Sequence, residues 1–141
     1  MCDLLLPPAL ACLASAASAL RRACAACHAS ANPIGPDLAG ATKRLSATDL
    51  FAAIAMPDAD VPPAYRATVF TLKDGGTRVG RIAFNSADGV IVQTAPGVTL
   101  RIDERDIAKR EEWSKSMMPA GLLSGLKPGE LADLYAYMKT L

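Results

Sequence analysis

The chain has 141 residues, the size of one ordinary domain, and its 15 basic and 14 acidic side chains leave a net charge of +1. That balance excludes the single-sign field needed to hold nucleic acid or an acidic membrane, and no apolar run of about 18 residues exists to form a transmembrane segment. Aromatic side chains make up only 5% of the chain, so its core must rest on Leu, Val, Ile and Ala or on a large apolar cofactor.

The first 20 residues carry two competing patterns. Leu4-Leu5-Leu6 and the Ala/Leu/Ser run up to Leu20 resemble a secretory apolar region, with Ala17-Ser18-Ala19 as an A-x-A cleavage site. No Lys or Arg precedes Arg21, however, and cleavage at Ala19 would remove the helix expected to present Cys24. The 3/4 spacing of Leu10, Leu13, Ala17, Leu20 and Cys24 favours an amphipathic helix. Residues 1–8 then read as a leader or linker remnant, and residues 9–141 as the domain. Ala9-Leu10-Ala11-Cys12 matches a lipobox only loosely.

Cys24-Ala25-Ala26-Cys27-His28 is a C-x-x-C-H sequence, the attachment signature of a c-type haem. On a helix, positions i, i+3 and i+4 share a face. Two thiols there can form thioethers with the haem vinyl groups, and the adjacent imidazole can serve as proximal iron ligand. Two other chemistries use Cys-x-x-Cys. A thioredoxin-like dithiol should follow a strand, and the residues before Cys24 do not read as one. A zinc site needs four ligands; His28 is the only histidine, and Cys2 and Cys12 lie in the apolar N-terminal stretch, so a Cys₃His set stays open but lacks a second close pair.

Asn32-Pro33-Ile34-Gly35-Pro36-Asp37-Leu38 is too punctuated by Pro and Gly for regular structure and is placed to wrap the proximal side of the haem. Ser46 is an expected N-cap with Asp49 in the first turn. Leu50, Phe51, Ile54 and Ala55 form the apolar face of that helix, which Pro57 ends. From residue 65 to 107 the chain reads as strands over 68–72, 78–84, 90–94 and 98–102, separated by Gly and Pro turns in an antiparallel meander. Residues 65–112 hold eight Lys/Arg against seven Asp/Glu, so the scattered arginines read as solvated strand faces rather than a nucleic-acid surface. Lys127-Pro128-Gly129-Glu130 opens a last helix with Leu131, Leu134, Tyr135, Met138 and Leu141 as its stripe, expected to pack against Leu10, Leu13, Ala17 and Leu20.

With no second histidine, methionine is the natural partner of His28 across the iron. Met138 sits on a core stripe. Met56 and Met118 each precede a proline, which holds the preceding residue out of the helical region and suits a loop ligand. Met118 lies between the strands and the last helix, the better place for a distal loop, with Met117 and Met56 as rivals.

These pieces resemble class I cytochrome c: a helix ending in C-x-x-C-H, a Gly-Pro-x-Leu loop, a Met-Pro loop and a Leu/Tyr-rich terminal helix. They are more similar still to the cytochrome c haem-binding domain of planctomycete and verrucomicrobial type. Residues 24–28, 34–38, 57–65, 73–75, 80–81, 106–107, 116–122 and 131–141 carry the likeness, which spans residues 24–141. The resemblance implies an α+β chain, a mostly helical cytochrome fold interrupted by a small antiparallel β-meander insert over residues 65–112. It implies cofactor-binding roles for Cys24, Cys27, His28, Pro36 and Met118. His28 and Met118 would ligate the iron of one covalent haem c, and the Pro36 carbonyl would accept from the imidazole N–H.

The expected function is monohaem electron transfer, with a dehydrogenase or terminal acceptor as redox partner protein. Catalysis by the chain itself is not expected, since its one histidine is committed and no phosphate loop is present. Haem attachment implies a periplasmic or extracytoplasmic site. The alternatives are a haem-based sensor or small-ligand binder with an open or labile sixth position, and a partner-docking β module with haem as filler.

Overall fold

The computed structural model of the chain describes Ser18, residues 21–29 and residues 31–141. The expected leader, the helix stripe Leu10/Leu13/Ala17/Leu20, Cys2 and Cys12 lie outside the described residues. The described chain enters through a π-helical turn, Arg21–Ala25, that runs into α1, Ala26–His28. Two further helices follow, α2 (Ala41–Arg44) and α3 (Ala47–Ala55). The strands are β1 (Thr68–Leu72), β2 (Thr77–Ser86), β3 (Gly89–Ala95), β4 (Val98–Asp103) and β5 (Ile107–Glu112), and α4 (Pro128–Met138) closes the chain.

The largest element is a five-stranded antiparallel sheet in the order β4-β3-β2-β1-β5. This corrects the expectation of a mostly helical cytochrome fold with a small insert. The described helices are short, the longest being α4 with 11 residues, whereas β2 alone has ten. The sheet also brings its own core. Phe70, Val90 and Val92 are fully buried, joined by Ile102, with Leu72, Ile82, Leu100 and Ile107 packed around them. A separate core of Ala41, Leu50, Leu134 and Met138 joins the helices.

β2 is long because it serves two partners. Its first half, Thr77 to Gly80, pairs with β1, and its second half, from Arg81 onward, pairs with β3. The change of partner falls at Gly80 and Arg81. A Cβ on Gly80 would lie 2.6 Å from Val92 Cγ1 and collide with the Gln93 carbonyl, so only glycine lets β2 approach β3 this closely. A register shift falls between Ile82 and Phe84, and Phe84 is exposed. β5 pairs back onto β1, placing its Lys and Glu side chains on an edge.

The helix starts follow local chemistry. Ser46 Oγ accepts from the Asp49 N–H at 3.1 Å and donates to its carboxylate at 2.6 Å. At α4, Lys127 has no acceptor to offer. Instead the Glu130 carboxylate reaches back 2.8 Å to the Lys127 N–H, half of a capping box, with Pro128 in the first turn. Along α4, Leu134 and Met138 are buried, and Tyr135 meets Phe51 of α3 with ring centroids 6.1 Å apart.

Truncating Phe70 to Ala should cost about 3–5 kcal/mol of unfolding free energy, since it empties the sheet core. Truncating the exposed Phe84 should change it by less than about 0.5 kcal/mol. Chemical denaturation of the two variants beside the parent chain checks both figures.

Candidate functional site

Cys24, Cys27 and His28 come from the turn Arg21–Ala25 and from α1. Both cysteines are free thiols and half-buried. Cys24 packs against the helical core formed with α3 and α4. Burial pushes its thiol above the ordinary value, and the neighbouring Cys27 adds to the push. A thiol raised in the folded state keeps its proton longer than in the unfolded chain. It therefore withdraws stability only as pH rises past the unfolded thiol range, and contributes no loss at neutral pH.

The chain turns sharply after His28. The Cys27 carbonyl accepts two N–H groups, from Ile34 at 3.0 Å and from Gly35 at 2.9 Å. This folds residues 31–36 back over the end of α1 and brings Pro36 to the imidazole. His28 Nδ1 lies 2.6 Å from the Pro36 carbonyl. A carbonyl can only accept, so Nδ1 carries a proton, and in the neutral ring Nε2 is the nitrogen that holds the lone pair. Gly35 lies flat against the ring. A Cβ at this position would stand 2.7 Å from Cε1, 2.9 Å from Nδ1 and 3.1 Å from Nε2 of His28. The imidazole is thus held on one edge by a hydrogen bond and on one face by a residue that has no side chain.

The sheet reaches this segment through two side chains. Gln93 on β3 is fully buried; its Nε2 donates to the Asn32 carbonyl at 2.9 Å, and its Oε1 accepts from Arg81 Nη2 at 2.8 Å. The same Arg81 nitrogen lies 3.3 Å from the Pro33 carbonyl, and the Gly97 N–H donates to Asn32 O at 3.3 Å. The Arg81 guanidinium also sits 5.8 Å from the centre of the Tyr65 ring.

Met118 is half-buried on the bend between β5 and α4. Its N–H donates to Ser116 Oγ at 3.1 Å, and the Ser116 N–H donates to Asp58 Oδ1 at 2.7 Å, which ties the bend to the segment after α3. Of its rivals, Met117 is half-buried beside it, and Met56 at the end of α3 is 59% exposed. Met138 is 2% exposed inside the helical core. The structure brings Cys24, Cys27, His28 and Pro36 together around one turn, while Met118 belongs to a separate loop.

Arg81 and Gln93 are the residues that sequence reasoning did not place at the site; Asn32 and Gly35 lay in the segment expected to wrap the proximal side, but with no role of their own. For Gln93 a signal existed: it is the polar member of the run Val90-Ile91-Val92-Gln93, and a strand covered on both faces makes such a residue answer for its hydrogen bonds. Among the described residues, no three His, Cys, Asp or Glu side chains converge as ligands of a metal ion. An open cleft lined by Pro63, Arg66, Arg81, Arg110 and Glu112 lies on the sheet rather than at His28. Among the described residues, no helix is long and apolar enough to cross a membrane. Compared with protein-family models and with curated proteins, the chain matches none.

Gly35→Ala should either displace the imidazole or open the bond to Pro36, because three ring atoms stand in the way of the new methyl. The expected cost is about 1–3 kcal/mol, the range for overpacking a tight contact. The His28 ring resonances should shift by NMR, whereas Gly129→Ala, whose Cβ meets nothing within 4 Å, should leave them in place.

Proposed function

We propose that this chain carries one covalent haem c through Cys24 and Cys27, with His28 as proximal ligand, and acts as an electron-transfer module. The observation that carries the reading is the orientation of His28. Its Nδ1–H is committed to the Pro36 carbonyl, so the Nε2 lone pair is the one left to bind iron. The donor set fits a haem better than a bare ion. A structural zinc would need its ligands to converge on one point, and Cys24, Cys27 and His28 do not. Thioether attachment makes no such demand, because the sulfurs bond to vinyl carbons at the macrocycle edge. When bound, the haem supplies one-electron chemistry at its iron.

The chain's own residues then divide the work. Cys24 and Cys27 tether, and part-buried Cys24 sets one end of the tether against the core of Ala41, Leu50, Leu134 and Met138. Pro36 fixes the tautomer and raises the donor strength of His28. Met118 is the proposed ligand on the other side, delivered by a bend that Ser116 and Asp58 restrain. Motif order along residues 24–141 supports the same assignment. Thioether formation needs a maturation apparatus on the oxidising side of a membrane, so the proposed location is periplasmic or extracytoplasmic. The proposed partner is a redox protein such as a dehydrogenase.

Two experiments test this. Expressed in a host able to mature c-type haem, the chain should show under denaturing conditions the mass of the polypeptide plus one haem. Bare polypeptide would refute attachment. Met118→Ala should keep the covalent haem, abolish the Met–iron charge-transfer band of the oxidised protein and lower the midpoint potential. Met117→Ala and Met56→Ala should leave the band intact, and loss of the band in Met56→Ala alone would move the distal ligand to the end of α3.

A further inference from the structure

We infer that Gln93 and Arg81 are positioning residues for the His28 imidazole, clamping the 32–36 segment so that the β-sheet controls how the ligand is held. The clamp stands on the hydrogen bonds; its consequence for redox behaviour rests on the haem reading above.

The connections run without a gap. Gln93 is the one buried polar side chain among the described residues, and both ends of its amide are used, one on Asn32 and one on Arg81. Arg81 adds a bond to Pro33, and the Gly97 N–H adds a second donor to the Asn32 carbonyl. The next two residues, Ile34 and Gly35, donate their N–H groups to the Cys27 carbonyl, and the carbonyl of the residue after them, Pro36, accepts from His28 Nδ1–H. Prolines at 33 and 36 fix φ on either side of this stretch, so it behaves as a stiff strap rather than a loose loop. A shift of Asn32 and Pro33 therefore carries through to Gly35 and Pro36, the two residues that touch the ring.

Simple packing does not account for the pair. Arg81 Nε is buried with no acceptor, and the hydrogen-bond partners of the guanidinium are neutral groups, Gln93 and Pro33. Uncompensated donors of this kind destabilise a fold. What the paired amide and the guanidinium add is direction: they specify one seating of the strap on the sheet, which apolar side chains of equal volume would not. Gly80 supports the same arrangement by letting β2 and β3 close together where Arg81 and Gln93 meet.

The test uses the matured holoprotein and four variants: Gln93→Leu, Gln93→Glu, Arg81→Met and, as a control in the same strand, Val92→Ala. Two quantities are read, amide hydrogen exchange at Ile34 and Gly35 and the midpoint potential. Gln93→Leu and Arg81→Met should speed exchange at both amides by about tenfold or more as the strap opens locally. They should also raise the midpoint potential, because an imidazole that loses its carbonyl acceptor is a weaker donor to the oxidised iron. Gln93→Glu keeps an acceptor for Arg81 but sets a carboxylate against the Asn32 carbonyl; it should speed exchange as well, and it serves if the leucine variant does not fold. Val92→Ala should lower global stability and leave the potential, and the exchange rates relative to the sheet amides, unchanged. Unchanged rates in the Gln93 and Arg81 variants, or equal shifts in Val92→Ala, would overturn the clamp. Should the parent chain carry no haem, the mass spectrum refutes the haem reading by itself, and the exchange rates still decide the clamp.

Discussion

One hydrogen bond organises the site, the 2.6 Å contact from His28 Nδ1 to the Pro36 carbonyl. A histidine next to a helix end has no intrinsic reason to hold one ring orientation, since rotation about its side-chain bonds is limited only by staggered wells. Pro36 removes that freedom and the tautomeric choice together. For the carbonyl to stand there, the chain must reverse within eight residues, and the Cys27 carbonyl enforces the reversal by accepting from both Ile34 and Gly35. The reversal in turn requires a residue without a Cβ at 35. Each condition follows from the one before, and each is local.

The sheet supplies what the local conditions leave open. A strap anchored only to the carbonyl of the residue next to the histidine could swing with the end of α1. Anchored also to Gln93 and Arg81, it is referred to a second body with its own core of Phe70, Val90, Val92 and Ile102. The helical core of Ala41, Leu50, Leu134 and Met138 meanwhile receives Cys24. The two ends of the C-x-x-C-H sequence thus answer to two different cores, Cys24 to the helices and His28, through the strap, to the sheet.

Much of the local structure was legible in the sequence, and the balance of the whole was not. The cap at Ser46, the stop at Pro57 and the Pro128 entry to α4 are set by chemistry within a few residues, and they stand where expected. Four strands were legible from β-branched runs between Gly and Pro turns. β5 was not, because Ile107-Ala108-Lys109-Arg110-Glu111-Glu112 reads as a charged segment; it pairs only with β1, and an edge strand tolerates such side chains. The mostly helical expectation failed for a related reason. The motifs that carry the resemblance are mostly in the helical pieces and turns, and only the short pairs 80–81 and 106–107 touch strands, so they say little of the span where the sheet builds a core of its own. At the site, the C-x-x-C-H spacing marked residues 24–28 and read as one helix; the structure divides them between a π-helical turn ending at Ala25 and α1. Gln93 and Arg81 were hidden because their partners lie 61 and 48 residues away; the apolar run before Gln93 marks it as a polar group in need of a partner, but not which partner it has.

The division between the two cores has a consequence for how such a site can vary. If the haem is attached as proposed, thioether bonds at Cys24 and Cys27 hold the macrocycle whatever the strap does, because they are covalent. They do not set the rotation of the imidazole or the electron density on its Nε2, both of which depend on the bond to Pro36. Tethering and tuning are therefore separable: the first needs only two thiols one helical turn apart, and the second needs a strap seated on the sheet by the hydrogen bonds of Gln93 and Arg81. The two anchors differ in kind: the Arg81 guanidinium brings a full positive charge to the strap at Pro33, whereas Gln93 seats Asn32 through an amide dipole, so seating and field at the proximal side are set by different side chains.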